Sequence, residues 1–247
     1  MERGIAQHRL RWLALATVVV LVGVGAAAPA DARRASGPFV ELHSVAGLAP
    51  DGGSIAVQVL ASCPERWTVV EAVVSVSQPQ ASGRASFPLT CIGSVRPFNV
   101  TVPSSGGIFD LSDAQATASV VISRGKTAST HDARTLSVDP IVAVELAETA
   151  QLESGGSAVV IGVTVACPVG TTGRRSGLNI SQSGRTSGNG FYVPVCDGAA
   201  HTFSVRVEAS TGVYQAGIAQ ALTFADVEHD GRVFSGVDDD GALEIVA

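Results

Sequence analysis

The chain has 247 residues, is 46% hydrophobic, and carries 16 Lys and Arg against 22 Asp and Glu, which gives a net charge of −6. A mildly acidic chain with scattered arginines lacks the clustered basic surface that binds nucleic acid or anionic lipid, so the composition argues against both partners. The length is sufficient for one large domain or two small ones.

The first 32 residues are predicted to be a secretory signal peptide. Three arginines precede an apolar run at residues 12–28, and Ala30-Asp31-Ala32 is a small-x-small cleavage site. The alternative is a retained membrane anchor, but the run is short of the roughly 20 residues that a spanning helix needs. We therefore expect a mature chain that starts near Arg33 and is secreted, or held at the cell-envelope surface, without membrane insertion.

Four cysteines in an exported chain predict two disulfide bonds. Sequence order and nearly equal spacings favour the pairs Cys63–Cys91 and Cys167–Cys196 over the two other pairings. A Cys₄ metal site is the alternative, but it normally needs close Cys-x-x-Cys pairs, which the sequence lacks. We expect no cofactor.

The two halves of the mature chain repeat one another at an offset of 103 to 105 residues. Matching positions include Gly53 and Gly156, Cys63-Pro64 and Cys167-Pro168, Cys91 and Cys196, Phe109 and Tyr214, and Ala114-Gln115-Ala116 and Ala219-Gln220-Ala221. A steady offset over this length indicates a tandem duplication. It predicts a signal peptide at 1–32, a first domain at 33–138 and a second at 139–247, with almost no linker between the domains.

Within each half, short stretches of alternating apolar and polar residues are separated by clusters of Gly, Ser, Pro and Asp. The first half predicts seven strands, at Phe39–His43, Ser54–Cys63, Thr68–Ser77, Ala85–Cys91, Arg96–Val102, Ala114–Ile122 and Ala133–Val138. Seven strands in about 100 residues predict an all-β fold of two tandem Ig-like β-sandwich domains. Because both cysteines of a half fall in phase with inward residues, each disulfide is expected to join two sheets through the core.

The run from Cys196 to Val207 reads Cys-Asp-Gly-x-x-His-Thr-x-x-Val-x-Val, with Cys167-Pro168 upstream and an aromatic–Gly–Ala strand downstream. It resembles an uncharacterised Ig-like domain that recurs in secreted bacterial proteins, and it covers nearly the whole mature chain as two copies. The first copy departs from the pattern, because Ile92 follows Cys91 and no His-Thr precedes Phe98. The resemblance implies export and a β-sandwich, and it implies no activity.

Three groups of residues are candidates for a site. The acidic residues near the C-terminus offer the oxygen ligands that calcium prefers, although their spacing fits no EF-hand: Asp226, Glu228, Asp230, Asp238, Asp239 and Asp240. A solvated acidic loop is the favoured interpretation. Arg174, Arg175 and Arg185 lie in Gly/Ser-rich loops that could present a basic binding tip, and flexible surface loops are the alternative. His201 lies near Asp197 and Ser204, but a turn is favoured over catalysis, since strand geometry points His201 and Ser204 to opposite faces.

These observations lead us to expect a secreted, non-catalytic, two-domain protein that binds an unknown extracellular or envelope ligand. A small-molecule carrier with the architecture of the neocarzinostatin apoproteins is an alternative, which a lined cleft would favour. A hydrolase using His201 or the C-terminal acids is a further alternative, which a solvent-open cluster of perturbed titratable groups would favour.

Overall fold

The structure, a computed structural model, describes residues 37–247, apart from the side chains of Ser154, Asp239 and Asp240. Within this range the chain forms fifteen β-strands and one 3-10 turn at Ser154–Gly156, with no α-helix, so the predicted all-β class is confirmed. No helix in the described range is long and apolar enough to cross a membrane. The predicted signal peptide at 1–32 and the cleavage site before Arg33 lie outside the described residues.

The first seven strands form one closed, barrel-like sheet. They are β1 (Phe39–Leu48), β2 (Ser54–Ser62), β3 (Thr68–Gln78), β4 (Ala81–Ser86), β5 (Arg96–Gly106), β6 (Ala114–Ser123) and β7 (Thr127–Pro140). The hydrogen-bonded order is β1-β2-β5-β4-β3-β6-β7, and β7 pairs with β1 in parallel to close the sheet. Alternate residues of each strand, such as Val57, Val74 and Ile122, point inward and form the core.

The remaining strands form a second closed sheet with a core of its own. They are β8 (Ala143–Leu152), β9 (Ala158–Ala166), β10 (Thr172–Gly173), β11 (Ser176–Gln182), β12 (Thr186–Tyr192), β13 (Ala200–Thr211), β14 (Gly217–His229) and β15 (Arg232–Val246). The order β8-β9-β13-β12-β11-β14-β15 repeats that of the first sheet position by position, and β10 adds a short extension to β14. Only Ile141 and Val142 separate β7 from β8.

The predicted strands of the first half agree with β1–β3 and β5–β7, but the predicted fourth strand, Ala85–Cys91, is wrong. The real β4 ends at Ser86. Phe87 and Leu89 are buried as their phase suggested, but they lie in irregular chain. Pro88 stands between them, and proline cannot donate a ladder hydrogen bond.

Both predicted disulfides, Cys63–Cys91 and Cys167–Cys196, are present. Each joins the end of one strand to the loop that leads into the neighbouring strand, β2 to β5 and β9 to β13. Cys63 and Cys167 are fully buried, whereas their partners are half-exposed. The expectation that each disulfide joins two sheets through the core is therefore wrong. Cys91 and Cys196 lie in the loops after β4 and β12, and each bridge connects the chain at neighbouring strands of one sheet. Two disulfides suggest a non-cytoplasmic environment.

Phe109 and Tyr214, which the repeat aligns, fill matching positions at one end of the two cores. Each is 2% exposed. The backbone amide of Phe109 donates to the carbonyl of Gly52 across 3.0 Å, and that of Tyr214 donates to Gly156 across 2.8 Å. Gly52 and Gly156 have φ values of 67° and 68°, a conformation that glycine adopts without strain. The same turn therefore holds an aromatic residue at the matching position of both sheets.

Candidate functional site

An open cleft of about 450 Å³ lies between the two sheets. The first sheet contributes the β1–β2 turn at residues 50–52 and the β5–β6 loop at residues 108–110. The second sheet contributes residues 168–169, after β9, and residues 197–199, before β13. The two sides come close, since a methyl group placed on Gly198 would lie 3.4 Å from the carbonyl oxygen of Pro50. Turns and loops from both sheets therefore form the walls of the cleft.

The turn after Cys196 is a repeated structural unit. The amide of Gly198 donates to the carbonyl of Cys167 across 3.1 Å, and Gly93 does the same to Cys63 across 3.0 Å. Gly198 and Gly93 have φ values of 86° and 77°. Each disulfide and one backbone hydrogen bond thus close a turn whose second residue after the cysteine is glycine. The glycine of the Cys-Asp-Gly motif serves this turn.

The aspartate of that motif, Asp197, lines the cleft, whereas its counterpart in the first sheet is Ile92, which lies outside the cleft. Oδ1 of Asp197 accepts a hydrogen bond from the amide of Ala199 across 3.0 Å and lies 2.8 Å from Nε2 of His201. The hydrogen bond with His201, and then that from Ala199, holds the pKa of Asp197 below its ordinary value. The wall of the cleft therefore carries an ionised carboxylate at neutral pH.

His201 and Ser204 lie on opposite faces of β13, as the strand geometry predicted. His201 follows the inward series of Phe203 and Val205, while Ser204 is exposed on the other face. His201 instead binds Asp197, three residues before β13 begins. A nucleophile-and-base pair requires hydrogen-bond reach between the two side chains, and this arrangement does not bring them together.

The lining of the cleft combines exposed apolar side chains with exposed carboxylates. Ile108 and Val169, one from each sheet, are both 67% exposed. Asp51 and Asp110 orient their carboxylates by accepting 2.8 Å hydrogen bonds from the amides two residues further along, at Gly53 and Ser112. No Lys or Arg is among the described residues that line the cleft. The surface is complementary to a group that combines an apolar body with a positive charge.

Three of the C-terminal acids that the sequence singled out bind protein groups. Oδ1 of Asp226 accepts a hydrogen bond from Ser235, Glu228 pairs with Arg174, and Asp238 accepts the amide of Leu146 across 2.7 Å. Asp230 lies in the turn between β14 and β15. The structure does not describe the side chains of Asp239 and Asp240. Across the side chains that the structure describes in residues 37–247, no group of three or more His, Cys, Asp or Glu could hold a metal ion.

The three arginines do not form the shared basic tip that the sequence suggested. Arg174 and Arg175 precede β11, whereas Arg185 follows it, so the length of the strand separates them. The guanidinium of Arg175 lies 3.8 Å from the centre of the Phe191 ring. Arg185 lies in the β11–β12 turn.

Sequence reasoning missed the half of the cleft that belongs to the first sheet. Residues 50–52 and 108–110 lie in clusters of Asp, Gly and Ser, which were interpreted only as separators between strands. Their composition did signal rigid turns. Nothing local in the sequence indicates that these turns approach a turn more than 80 residues away.

No protein-family model matches the chain, and no curated protein is similar to it. Among solved structures, it is similar to a conserved domain protein from Bacillus anthracis, with 10% identity, a TM-score of 0.28, and coverage of 86% of this chain and 88% of that one. It is also similar to the YadV chaperone, with 11% identity, a TM-score of 0.22, and coverage of 81% and 98%.

Proposed function

We propose that the protein is a secreted, non-catalytic binding module of two tandem Ig-like β-sandwich domains, and that its ligand occupies the cleft between them. The observation that carries the proposal is the lining that the two sheets share, which combines exposed apolar side chains with carboxylates oriented by backbone amides. Binding sites occur preferentially at domain interfaces and combine apolar lining with a few placed polar groups. The ligand is an extracellular or envelope component with an apolar surface and a positive charge.

The strand order supports the Ig-like assignment. An Ig sandwich places its first, second, fifth and fourth strands in one layer and its third, sixth and seventh in the other. The order β1-β2-β5-β4 followed by β3-β6-β7 agrees with that arrangement, and the second sheet has the same order. The matched turns around Gly52 and Gly156 support duplication.

The binding role is tested by pull-down of envelope and medium components with the mature protein, residues 33–247. Two matched variants, one in the cleft and one outside it, show whether binding depends on the cleft. Ala199→Trp places a large ring on an exposed residue that lines the cleft, whereas Val70→Trp makes a similar change at an exposed residue of the first sheet outside the cleft. A component retained by the wild type and by Val70→Trp, but lost with Ala199→Trp, supports the proposal. Retention by all three proteins, or by none, contradicts it.

A small-molecule carrier is the second candidate, and the volume of the cleft favours it, since about 450 Å³ lies within the usual range of about 300 to 1,000 Å³ for ligand pockets. Native mass spectrometry of protein purified from the medium distinguishes the two. A carrier retains one small molecule per chain, and Ala199→Trp, which places a large ring in the cleft, abolishes that adduct. A chain without any adduct, which nevertheless captures a macromolecular component, favours the binding module.

A further inference from the structure

We infer that the outer face of β12, β11, β14 and β15 is the interface of a homodimer. This face lies on the second sheet and belongs to neither the cleft nor the core. Five exposed apolar side chains occupy it: Phe191, Val193, Leu222, Phe224 and Val237. The inference is independent of the proposed function.

The strand register places these side chains in a row. Gly177 on β11 pairs with Phe191 on β12 and with Phe224 on β14, and Phe224 pairs in turn with Val237 on β15. Directly paired residues point to the same face of a sheet, so the row crosses four strands. Gly177 leaves room in the middle, since a Cβ there would lie 2.7 Å from the ring of Phe224. The result is a row of neighbouring apolar side chains, with the ring of Phe224 lying over Gly177.

The corresponding row of the first sheet is mostly polar, which makes it an internal control. Its four residues, reached by the same pairings, are Ser86, Val73, Ser119 and His131. Two sheets with the same strand order thus differ in the polarity of one outer face. Core packing does not require apolar residues on the solvent side of a sheet, so the difference points to a contact that the second sheet makes.

The size of the apolar face suits a partner protein. The five side chains expose roughly 400 to 500 Å² together, at the upper end of what monomers usually show. A stable interface buries about 800 Å² per partner, with an apolar centre and a polar rim. Neighbouring polar residues, among them Asn179, Asn189 and Asp226, can supply that rim.

The charges on the face select a second copy of this chain as the occupant. Arg175 lies on the β11 side, where its guanidinium covers Phe191, and Asp226 lies across from it on β14 beside Ser235. A two-fold axis parallel to the strands, between β11 and β14, places β11 of each copy over β14 of the other. Arg175 of one copy then faces Asp226 of its partner, twice by symmetry, while Phe191 faces Val237. The face is therefore self-complementary in charge.

Sedimentation equilibrium of the mature protein over a range of concentrations tests the inference. The wild type should form a dimer, and Phe191→Ser with Phe224→Ser should weaken dimerisation by about tenfold or more. Val70→Ser, on the first sheet, should leave it unchanged. Unaltered thermal melting of the variants shows that they fold. A wild type that is monomeric at every concentration overturns the inference, as does a dimer indifferent to the Phe191 and Phe224 changes.

A charge swap tests the two-fold arrangement itself. Arg175→Glu and Asp226→Arg should each weaken the dimer by about tenfold, because each places like charges opposite one another. The double variant restores opposite charges across the axis and should recover most of the affinity. The arrangement would be overturned if neither single variant weakened the dimer. It would also be overturned if the double variant lost as much dimer affinity as the two single variants added together.

Discussion

The carboxylate of Asp132 accepts a 2.8 Å hydrogen bond from the backbone amide of Leu42, and this contact holds β1 at its irregularity. There the register of β1 with β2 shifts between Leu42 and Ala46, and β1 then pairs with β7. The second sheet repeats the arrangement, with Asp238 accepting the amide of Leu146 where β8 shifts register. Each strand shifts register and gains a second partner at this point, and a carboxylate from the last strand accepts a hydrogen bond from its amide.

We expect Asp132→Ala to lower the free energy of unfolding by about 1 to 3 kcal/mol, since it leaves the amide of a buried residue without its acceptor. The control is Asp113→Ala, which changes an exposed aspartate just before β6. It should change the free energy of unfolding by less than about 0.5 kcal/mol. Urea denaturation followed by circular dichroism measures both. Equal effects of the two changes would contradict the assigned role of Asp132.

Replacing Cys63 and Cys91 with serine should destabilise the protein by about 3 to 4 kcal/mol in the chain-entropy model, because the bridge closes a separation of 28 residues. The matching replacement of Cys167 and Cys196 should cost a similar amount, since that separation is 29. Guanidinium titration under oxidising conditions gives both values. Mass spectrometry of a non-reduced digest checks the pairing, and a peptide that joins Cys63 to Cys167 or Cys196 would contradict it.

Gly188→Ala should lower the free energy of unfolding by about 1 to 3 kcal/mol or more, through overpacking. A Cβ on Gly188 would lie 2.0 Å from the carbonyl oxygen of Glu208 and 2.6 Å from the hydroxyl of Tyr214. Gly106→Ala is the control, since a Cβ there meets no atom within 4 Å. Thermal melting compares them, and a stable Gly188→Ala protein would show that β12 and β13 are less tightly packed than the structure indicates.

The stabilising effect of Asp197 should depend on pH. Its pKa is lower in the folded protein than in the unfolded chain, because the carboxylate binds His201 and the amide of Ala199. The contribution is therefore complete above the unfolded pKa of about 4 and disappears as the pH falls through the folded value. The difference in melting temperature between wild type and Asp197→Asn should be present at pH 7 and vanish in strong acid. A difference in melting temperature that increases as the pH falls would contradict the lowered pKa of Asp197.

Calcium should leave the melting temperature unchanged, because Asp226, Glu228 and Asp238 bind protein groups and the described side chains form no group that could hold a metal ion. An ion at 100 times its dissociation constant would stabilise the fold by about 2.7 kcal/mol, a shift of several degrees. Melting curves recorded with calcium and with a chelator test whether the melting temperature changes. A calcium-dependent rise abolished by Asp230→Asn and Asp239→Asn would prove the prediction wrong.

Local patterns in the sequence predicted most of the fold but only half of the candidate site. Alternation located the strands because each strand has one buried face, and the repeat located the disulfides because both halves share their spacing. Alternation failed at residues 87–91, where a proline interrupts hydrogen bonding without changing which side chains are buried. The turn at Asp197 was recognisable from its motif. Its approach to residues 50–52 depends on how the two sheets meet, which no local pattern encodes. The row from Phe191 to Val237 likewise depends on the register of four strands.

The parallel pairing of the first and last strand in each sheet affects how the chain responds to tension. The direct pairs are Val45–Leu48 with Ser137–Pro140 in the first sheet and Thr149–Gln151 with Glu244–Val246 in the second. A force that pulls the two ends of a sheet apart enters through β1 and leaves through β7. Because these strands run in the same direction, the force slides them lengthwise and loads all their shared hydrogen bonds at once. A chain anchored at one end and pulled at the other would therefore extend only when a whole group of bonds fails together.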